Sequence, residues 1–260
     1  MASASANSSP FASTAPLGKG VEIARLDPVG LVALNKPAGV LSHPNKPGEE
    51  SRSLLRASYA LQGECYAWKT ATGEPQRAWL LNRLDSATSG IVLLALDEAL
   101  ARHMRELFRQ KHIEKTYAAL VLGRPPSTRQ RWKDRLAVQK SGGRIRTRGQ
   151  GNIPAESVMN VLRASSPQRQ PALTLIQLEP VTGRSHQLRV QCAKRHLPIV
   201  GDATYGEFEF NRAFAKQHRS KRLFLHSLRT RFSFDWQGRA MQFSAEAPLP
   251  PEFEQALNAR

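Results

Sequence analysis

Three polar segments carry residues whose types and spacing suit chemistry. Asn82-Arg83-Leu84-Asp85-Ser86-Ala87-Thr88-Ser89-Gly90 sets a base and an acid two residues apart, ahead of hydroxyls and a glycine. A carboxylate there can act as a nucleophile or a base when a loop is anchored by rigid strands, and it can equally cap backbone amides in a turn. Thr182-Gly183-Arg184-Ser185-His186-Gln187-Leu188-Arg189-Val190 puts glycine at a turn and places His186 and Arg189 about one helical turn apart. Pro198-Ile199-Val200-Gly201-Asp202-Ala203-Thr204-Tyr205-Gly206 reads as a loop with an Asx-turn at Asp202. No one of these segments names a reaction.

The elements that must position them follow from hydrophobic periodicity. Leu31 to Leu34 reads as a strand running into the turn Asn35-Lys36-Pro37-Ala38-Gly39, and Ile91 to Leu96 as a buried strand, so the Asp85 segment lies between apolar strands. Residues 97 to 112 predict a helix capped by Asp97, with Leu100, Met104, Leu107 and Phe108 on one face. Thr116 to Leu122, Val158 to Leu162 and Leu173 to Leu178 predict strands, and Ser185 to Lys194 a helix on which Leu188 and Cys192 share a face. Further strands are expected at Arg222 to His226, Thr230 to Phe234 and Met241 to Ser244, before a terminal helix around Pro251 to Leu257. Strands outnumber helices without strict alternation, which favours an α+β fold on a mixed or antiparallel sheet. Residues 1–20 are expected to form a disordered N-terminal tail and residues 21–260 one domain.

Charge narrows the partners. Thirty-eight Lys and Arg against 21 Asp and Glu give a net charge of +17, a field that favours polyanions. From Ser127 to Gln150 there are eight basic side chains (Arg129, Arg131, Lys133, Arg135, Lys140, Arg144, Arg146, Arg148) against one acid, Asp134. This glycine-containing stretch reads as a mobile loop or hairpin tip. From Asn211 to Arg231 there are seven bases and no acid. Two distant cysteines, Cys65 and Cys192, suggest neither a disulfide framework nor a zinc ribbon, and the histidines form no metal signature. No apolar run approaches the roughly 20 residues of a membrane helix. The expectations are therefore a cytoplasmic protein with no metal and no membrane association.

Taken in order, LNKPAGVLSHP (34–44), NRLDSATSG (82–90), EKTYAALVLG (114–123), TGRSHQLRV (182–190), LPIVGDATYG (197–206) and LFLHS (223–227) resemble the RluA-type RNA pseudouridine synthases. The resemblance implies an α+β catalytic domain with a long mixed, mostly antiparallel sheet and a central RNA-binding cleft, without the S4-type module that some relatives carry. It implies an isomerase, without cofactor, that detaches uracil from ribose C1′ and rejoins it through C5 at chosen uridines of structured RNA, ribosomal or transfer. The enzyme is expected to be a monomer.

Site roles also follow from the resemblance. Asp85 is the essential carboxylate, attacking C1′ or abstracting a ribose proton, and Arg189 is its cation. Tyr117 lies against uracil and is the candidate base for the C5 proton; read alone, it is a core strand aromatic. Arg83 fills the space left by a flipped nucleotide. Thr88, Arg184, His186 and Gln187 are assigned to substrate or RNA binding. Asn82 stands where the family usually has His; it hydrogen-bonds but does not titrate, so it is expected to tune geometry. The rival readings are a non-catalytic RNA-binding or assembly protein on the same fold and a glycosidic hydrolase. The second needs a further carboxylate at the site, and none is assigned.

Overall fold

A computed structural model describes residues 10–141 and 144–259. Its strands are β1 (Glu22–Leu26), β2 (Leu31–Lys36), β3 (Ser58–Ala60), β4 (Cys65–Lys69), β5 (Pro75–Leu80), β6 (Ser89–Ala95), β7 (Glu114–Leu122), β8 (Arg129–Ser141), β9 (Arg144–Ala164), β10 (Leu173–Pro180), β11 (Leu225–Trp236) and β12 (Arg239–Glu246). The helices are α1 (Pro10–Thr14), α2 (Glu98–Arg109), α3 (Gln187–Lys194), α4 (Phe208–His218) and α5 (Pro251–Asn258). All twelve strands form one sheet, ordered β3-β4-β5-β6-β11-β7-β10-β9-β8, with β2 also on β6, β1 on β2 and β12 on β11.

One pairing is parallel and sits mid-sheet. His226 and Ser227 of β11 face Ser89 and Gly90 of β6, and every other strand pair is antiparallel. Gly90 makes the joint possible: its φ is +109°, and a Cβ there would fall 2.2 Å from the Ser227 carbonyl oxygen. The mixed, mostly antiparallel α+β architecture is therefore as expected from the sequence.

The apolar residues of β7 and β10 bury one side of the sheet against α3, α4 and α5. Ile91, Leu93 and Ala95 of β6 pack with α2 through Leu100, Ala101 and Met104. Asp97 caps α2 as expected, its Oδ1 accepting the Leu100 N–H at 2.8 Å. Leu188 and Cys192 of α3 do share the buried face, while Val190 packs with Leu136 and Ala155 of the β8–β9 hairpin. α3 is thus enclosed from two sides, and Gln187 through Cys192 are all buried.

Three expectations need correction, and one helix stands where nothing was assigned. The tail is built onto the body from Pro10 onward: Phe11 is buried with Leu54, Leu55 and Tyr66, and the Gly18 N–H donates to the Leu54 carbonyl. Residues 1–9 lie outside the described residues. The basic stretch expected as a mobile loop or hairpin tip is a hairpin whose two arms are long paired strands, because Trp132, Asp134 and Leu136 alternate inward and Asp134 is neutralised by Lys194 and Arg195 of the α3 end. The tip residues 142 and 143, and the side chains of Lys140, Arg144, Arg146 and Arg148, lie outside that description. The two strands expected between Arg222 and Phe234 are one, β11, with a register shift between Ser227 and Arg229. Phe208–His218, overlapping the start of the second basic run, is a helix that the sequence did not suggest, since its one deeply buried residue, Phe214, leaves little apolar periodicity to read.

Candidate active site

The Asp85 loop is clamped along its length. Asn82 Oδ1 accepts the Leu93 N–H at 2.7 Å, tying the loop start to β6, which gives this departure from the family pattern a structural task. Ser42 Oγ donates to the Leu84 carbonyl and accepts the Leu84 N–H, and the Ser42 carbonyl is held by the Tyr66 hydroxyl at 2.7 Å. The fully buried Lys36 ammonium donates to the carbonyls of Pro37, Val40 and Ser86 at 3.2, 2.7 and 3.0 Å. Burial drags Lys36 down to about 7 and the Asp85 charge opposes the fall. The Thr88 N–H donates to the Asp85 carbonyl, closing a tight turn around the carboxylate.

Opposite the loop, α3 presents Arg189, only 7% exposed. Its Nε and Nη2 fork onto Asp202 at 2.7 and 2.8 Å, and its Nη1 donates to Asp85 Oδ2 at 2.9 Å. Burial works against the guanidinium charge, but the Asp202 hydrogen bonds and charge, helped by Asp85, more than reverse it, so Arg189 is held charged. For Asp202, burial works upward and is outweighed by Arg189 and by the Tyr205 and Thr204 N–H groups, leaving its carboxyl below the usual range. A buried charge of each sign is tolerable because each satisfies the other with directional bonds.

His186 precedes α3 in the left-handed region, at φ 53°. That conformation is costly for a non-glycine residue and directs the ring at the site. Its Nε2 lies 3.7 Å from Asp85 Oδ2 and its Nδ1 2.9 Å from the Tyr205 hydroxyl. The Arg189 and His186 nitrogens both converge on Oδ2, and among the described residues no donor engages Oδ1. Tyr117, opposite Ser227 in the β7–β11 register, packs between two core clusters. Desolvation pushes its phenol up to about 12, with Ser227 opposing and the Asp85 charge adding to the rise. It is a neutral phenol at pH 7 in the free protein.

The structure thus brings together Asp85, Arg189, His186 and Tyr117. Arg83 stands at the rim, 60% exposed and 3.9 Å from Glu64, and Arg184 is exposed beside Pro154. Thr88 and Gln187, expected to touch RNA, are 2% and 3% exposed instead. Gln187 is used internally: its Oε1 accepts from Thr182 Oγ1 and the Arg184 N–H, and its Nε2 donates to the Glu156 carbonyl. Both residues brace the segments that carry Asp85 and Arg189.

Asp202, Tyr205 and Lys36 were not among the expected site residues. Asp202 does make the Asx-turn, and the signal for its second task was an acid flanked by glycines near a basic helix. It is a further carboxylate at the site, yet at 1% exposure and fully bonded it is unavailable as a glycosidase acid. Among the described residues no group of three or more His, Cys, Asp or Glu is arranged to hold a metal ion, and no helix is long and apolar enough to cross a membrane.

Comparison with known proteins bears on family and fold. A family model described as RNA pseudouridylate synthase covers residues 30–194. The ribosomal large subunit pseudouridine synthase C of Vibrio vulnificus is 31% identical over 229 residues, 88% of this chain and 66% of its own length. The protein of that name from Pasteurella multocida is 33% identical over 238 residues, 88% of this chain and 65% of its own length. The chain therefore spans slightly less than two thirds of these relatives. Among solved structures, Human RNA Pseudouridylate Synthase Domain Containing 1 superposes with a TM-score of 0.64 at 22% identity, over 92% of this chain and 88% of that one. Human RNA Pseudouridylate Synthase Domain Containing 4 gives 0.63 at 23%, over 90% and 91%. At these identities the two structures speak to the fold.

Proposed function

Because the chain belongs to the RNA pseudouridylate synthase family, we propose that it isomerises chosen uridines to pseudouridine in RNA, with Asp85 as the catalytic carboxylate. The observation that carries the reading is the asymmetry of Asp85: Oδ2 is held by the charged Arg189 at 2.9 Å, while Oδ1 meets no donor among the described residues. Oδ1 is then the reacting atom, whether it attacks ribose C1′ or removes a ribose proton. The pocket supplies a fixed counter-charge without occupying that atom, so the carboxylate is oriented before substrate arrives.

Tyr117 covers the base and takes part in removing the C5 proton. Its neutral phenol must lose its own proton within the substrate complex to act as the base. The target nucleotide is turned out of its stack, and exposed Arg83 takes the space it leaves. Exposed bases along β8 and in α4, including Arg131, Arg212 and Lys216, meet phosphates, so that affinity falls with salt. Relatives are named for the large ribosomal subunit, which supports ribosomal RNA as the substrate. The protein acts as a monomer in the cytoplasm, and its two cysteines are buried free thiols that need no oxidising compartment.

The test is carbodiimide mapping of total RNA from cells with and without the gene, complemented by wild type or by Asp85→Asn. Wild type should restore at least one pseudouridine that the variant does not. If no uridine changes, or if Asp85→Asn restores the site, the reading fails; release of free uracil instead would favour a hydrolase.

A further inference from the structure

We propose that Tyr205 and the backbone N–H of Thr147 lock His186 as its Nε2–H tautomer, making His186 a positioning residue whose neutral N–H steers Asp85 Oδ2. The chain of donors begins at an unambiguous one. The Thr147 N–H of β9 donates to the Tyr205 hydroxyl oxygen at 2.8 Å. With that lone pair occupied, the phenol's own hydrogen is free to point at His186 Nδ1, 2.9 Å away. Among the described residues Nδ1 is the acceptor within reach of that hydrogen, and with Nδ1 accepting, the ring proton sits on Nε2.

An independent constraint agrees. Nε2 looks at Asp85 Oδ2 from 3.7 Å, and a bare nitrogen lone pair there would repel the carboxylate oxygen. The ring faces Asp85, Arg189, Asp202 and Tyr205; burial lowers its proton affinity first, Asp85 and Asp202 oppose, and Arg189 adds to the fall, leaving the neutral form at pH 7. A neutral donor suits this place, because it steers Oδ2 without adding a second full cation beside Arg189. At 3.7 Å the N–H lies slightly beyond hydrogen-bond reach, so it acts on the carboxylate oxygen as an oriented dipole.

The relay starts on the hairpin arm. The Thr147 hydroxyl donates to the Ser185 carbonyl at 2.9 Å, and Lys194 of α3 reaches both Asp134 and the Gly149 carbonyl at 2.7 and 2.9 Å. β8 and β9 therefore hold the tautomer as well as a basic surface, and seating of the arm on α3 is read at the carboxylate.

The inference rests on Asp85 as the reacting carboxylate, but its first test needs no turnover. In protein carrying nitrogen-15 histidine, long-range proton–nitrogen spectra should show His186 with Nε2 protonated and Nδ1 bare, the resonance being assigned by its loss in His186→Gln. Tyr205→Phe should mix the tautomers and lower kcat about 3-fold to 10-fold, the scale of one neutral hydrogen bond, with KM for RNA little changed. A protonated Nδ1 in wild type overturns the proposal, with no variant required. So does a Tyr205→Phe protein in which either the tautomer or kcat stays at the wild-type value. Activity of Asp85→Asn would remove the functional reading while leaving the tautomer measurement intact.

Discussion

Arg189 gives Asp85 a single N–H, from Nη1 at 2.9 Å. Its other two bonds to carboxylate go to Asp202. The guanidinium is therefore a fixed fixture with one prong to spare, and that prong is what reaches Asp85. Lysine has no planar fork with which to hold one carboxylate while serving another. Arg189→Lys should lower single-turnover pseudouridine formation by roughly 100-fold while circular dichroism shows a folded protein. Turnover at the wild-type rate would show that the two-acid fork is dispensable.

Removing the charge of Asp202 should disturb stability and chemistry together. Asp202→Asn leaves a buried guanidinium short of its main partner, which costs about 3 kcal/mol in urea unfolding at neutral pH. The Asp202 carboxyl is held below its ordinary range, so its contribution is present above the unfolded value of about 3.9 and is lost as pH falls through the lower folded value. The gap between wild type and variant should therefore close only below about pH 4. A gap independent of pH down to acid unfolding would mean that the charge is not what matters.

Tyr117→Phe separates packing from proton transfer. Phe keeps the ring between the two clusters and removes the hydroxyl, so RNA affinity should change little while product formation slows by about 100-fold. A normal rate would leave the phenol no part in the chemistry.

Lys36 predicts a pH effect of the same sign in a higher window. Its folded value of about 7 lies below the ordinary 10.5, so between these limits the unfolded chain binds more protons than the folded one. Stability from this group consequently rises with pH across that window. Lys36→Met, which cannot titrate, should show a flatter rise in Tm between pH 7 and 10 than wild type. Parallel curves for the two proteins would place the Lys36 charge outside the folding equilibrium.

Much of the scaffold was legible because its signals are local. Asp97 and the Leu100–Met104 spacing define α2, and the Leu188–Cys192 pair defines the buried side of α3. Asp85 and Arg189 were legible only through the ordered family motifs, since neither segment alone distinguishes a reacting group from a cap. Asp202 was not, because its Asx-turn is visible over three residues whereas its pairing with Arg189 depends on how α3 is seated. The β8–β9 arm was hidden by its own chemistry: an inward Asp134 between Trp132 and Leu136 breaks the apolar alternation, and its cations come from α3, some 60 residues on. Lys36 likewise looked like a turn residue, since the carbonyl of Ser86 that it grips is 50 positions away.

The two-residue parallel joint between β6 and β11 also bears on how the protein comes into being. Ser89 and His226 are 137 positions apart, and Asp85 and Arg189 are 104 apart. Contacts so distant along the chain close late, after the local hairpins on either side have formed. A ribosome-bound chain that has completed only its first half carries Asp85 without its counter-charge, and no wall for a flipped base. The Asp85–Arg189 pair therefore arrives in one step with the finished sheet, and a truncated or half-folded product lacks the site proposed to act on RNA.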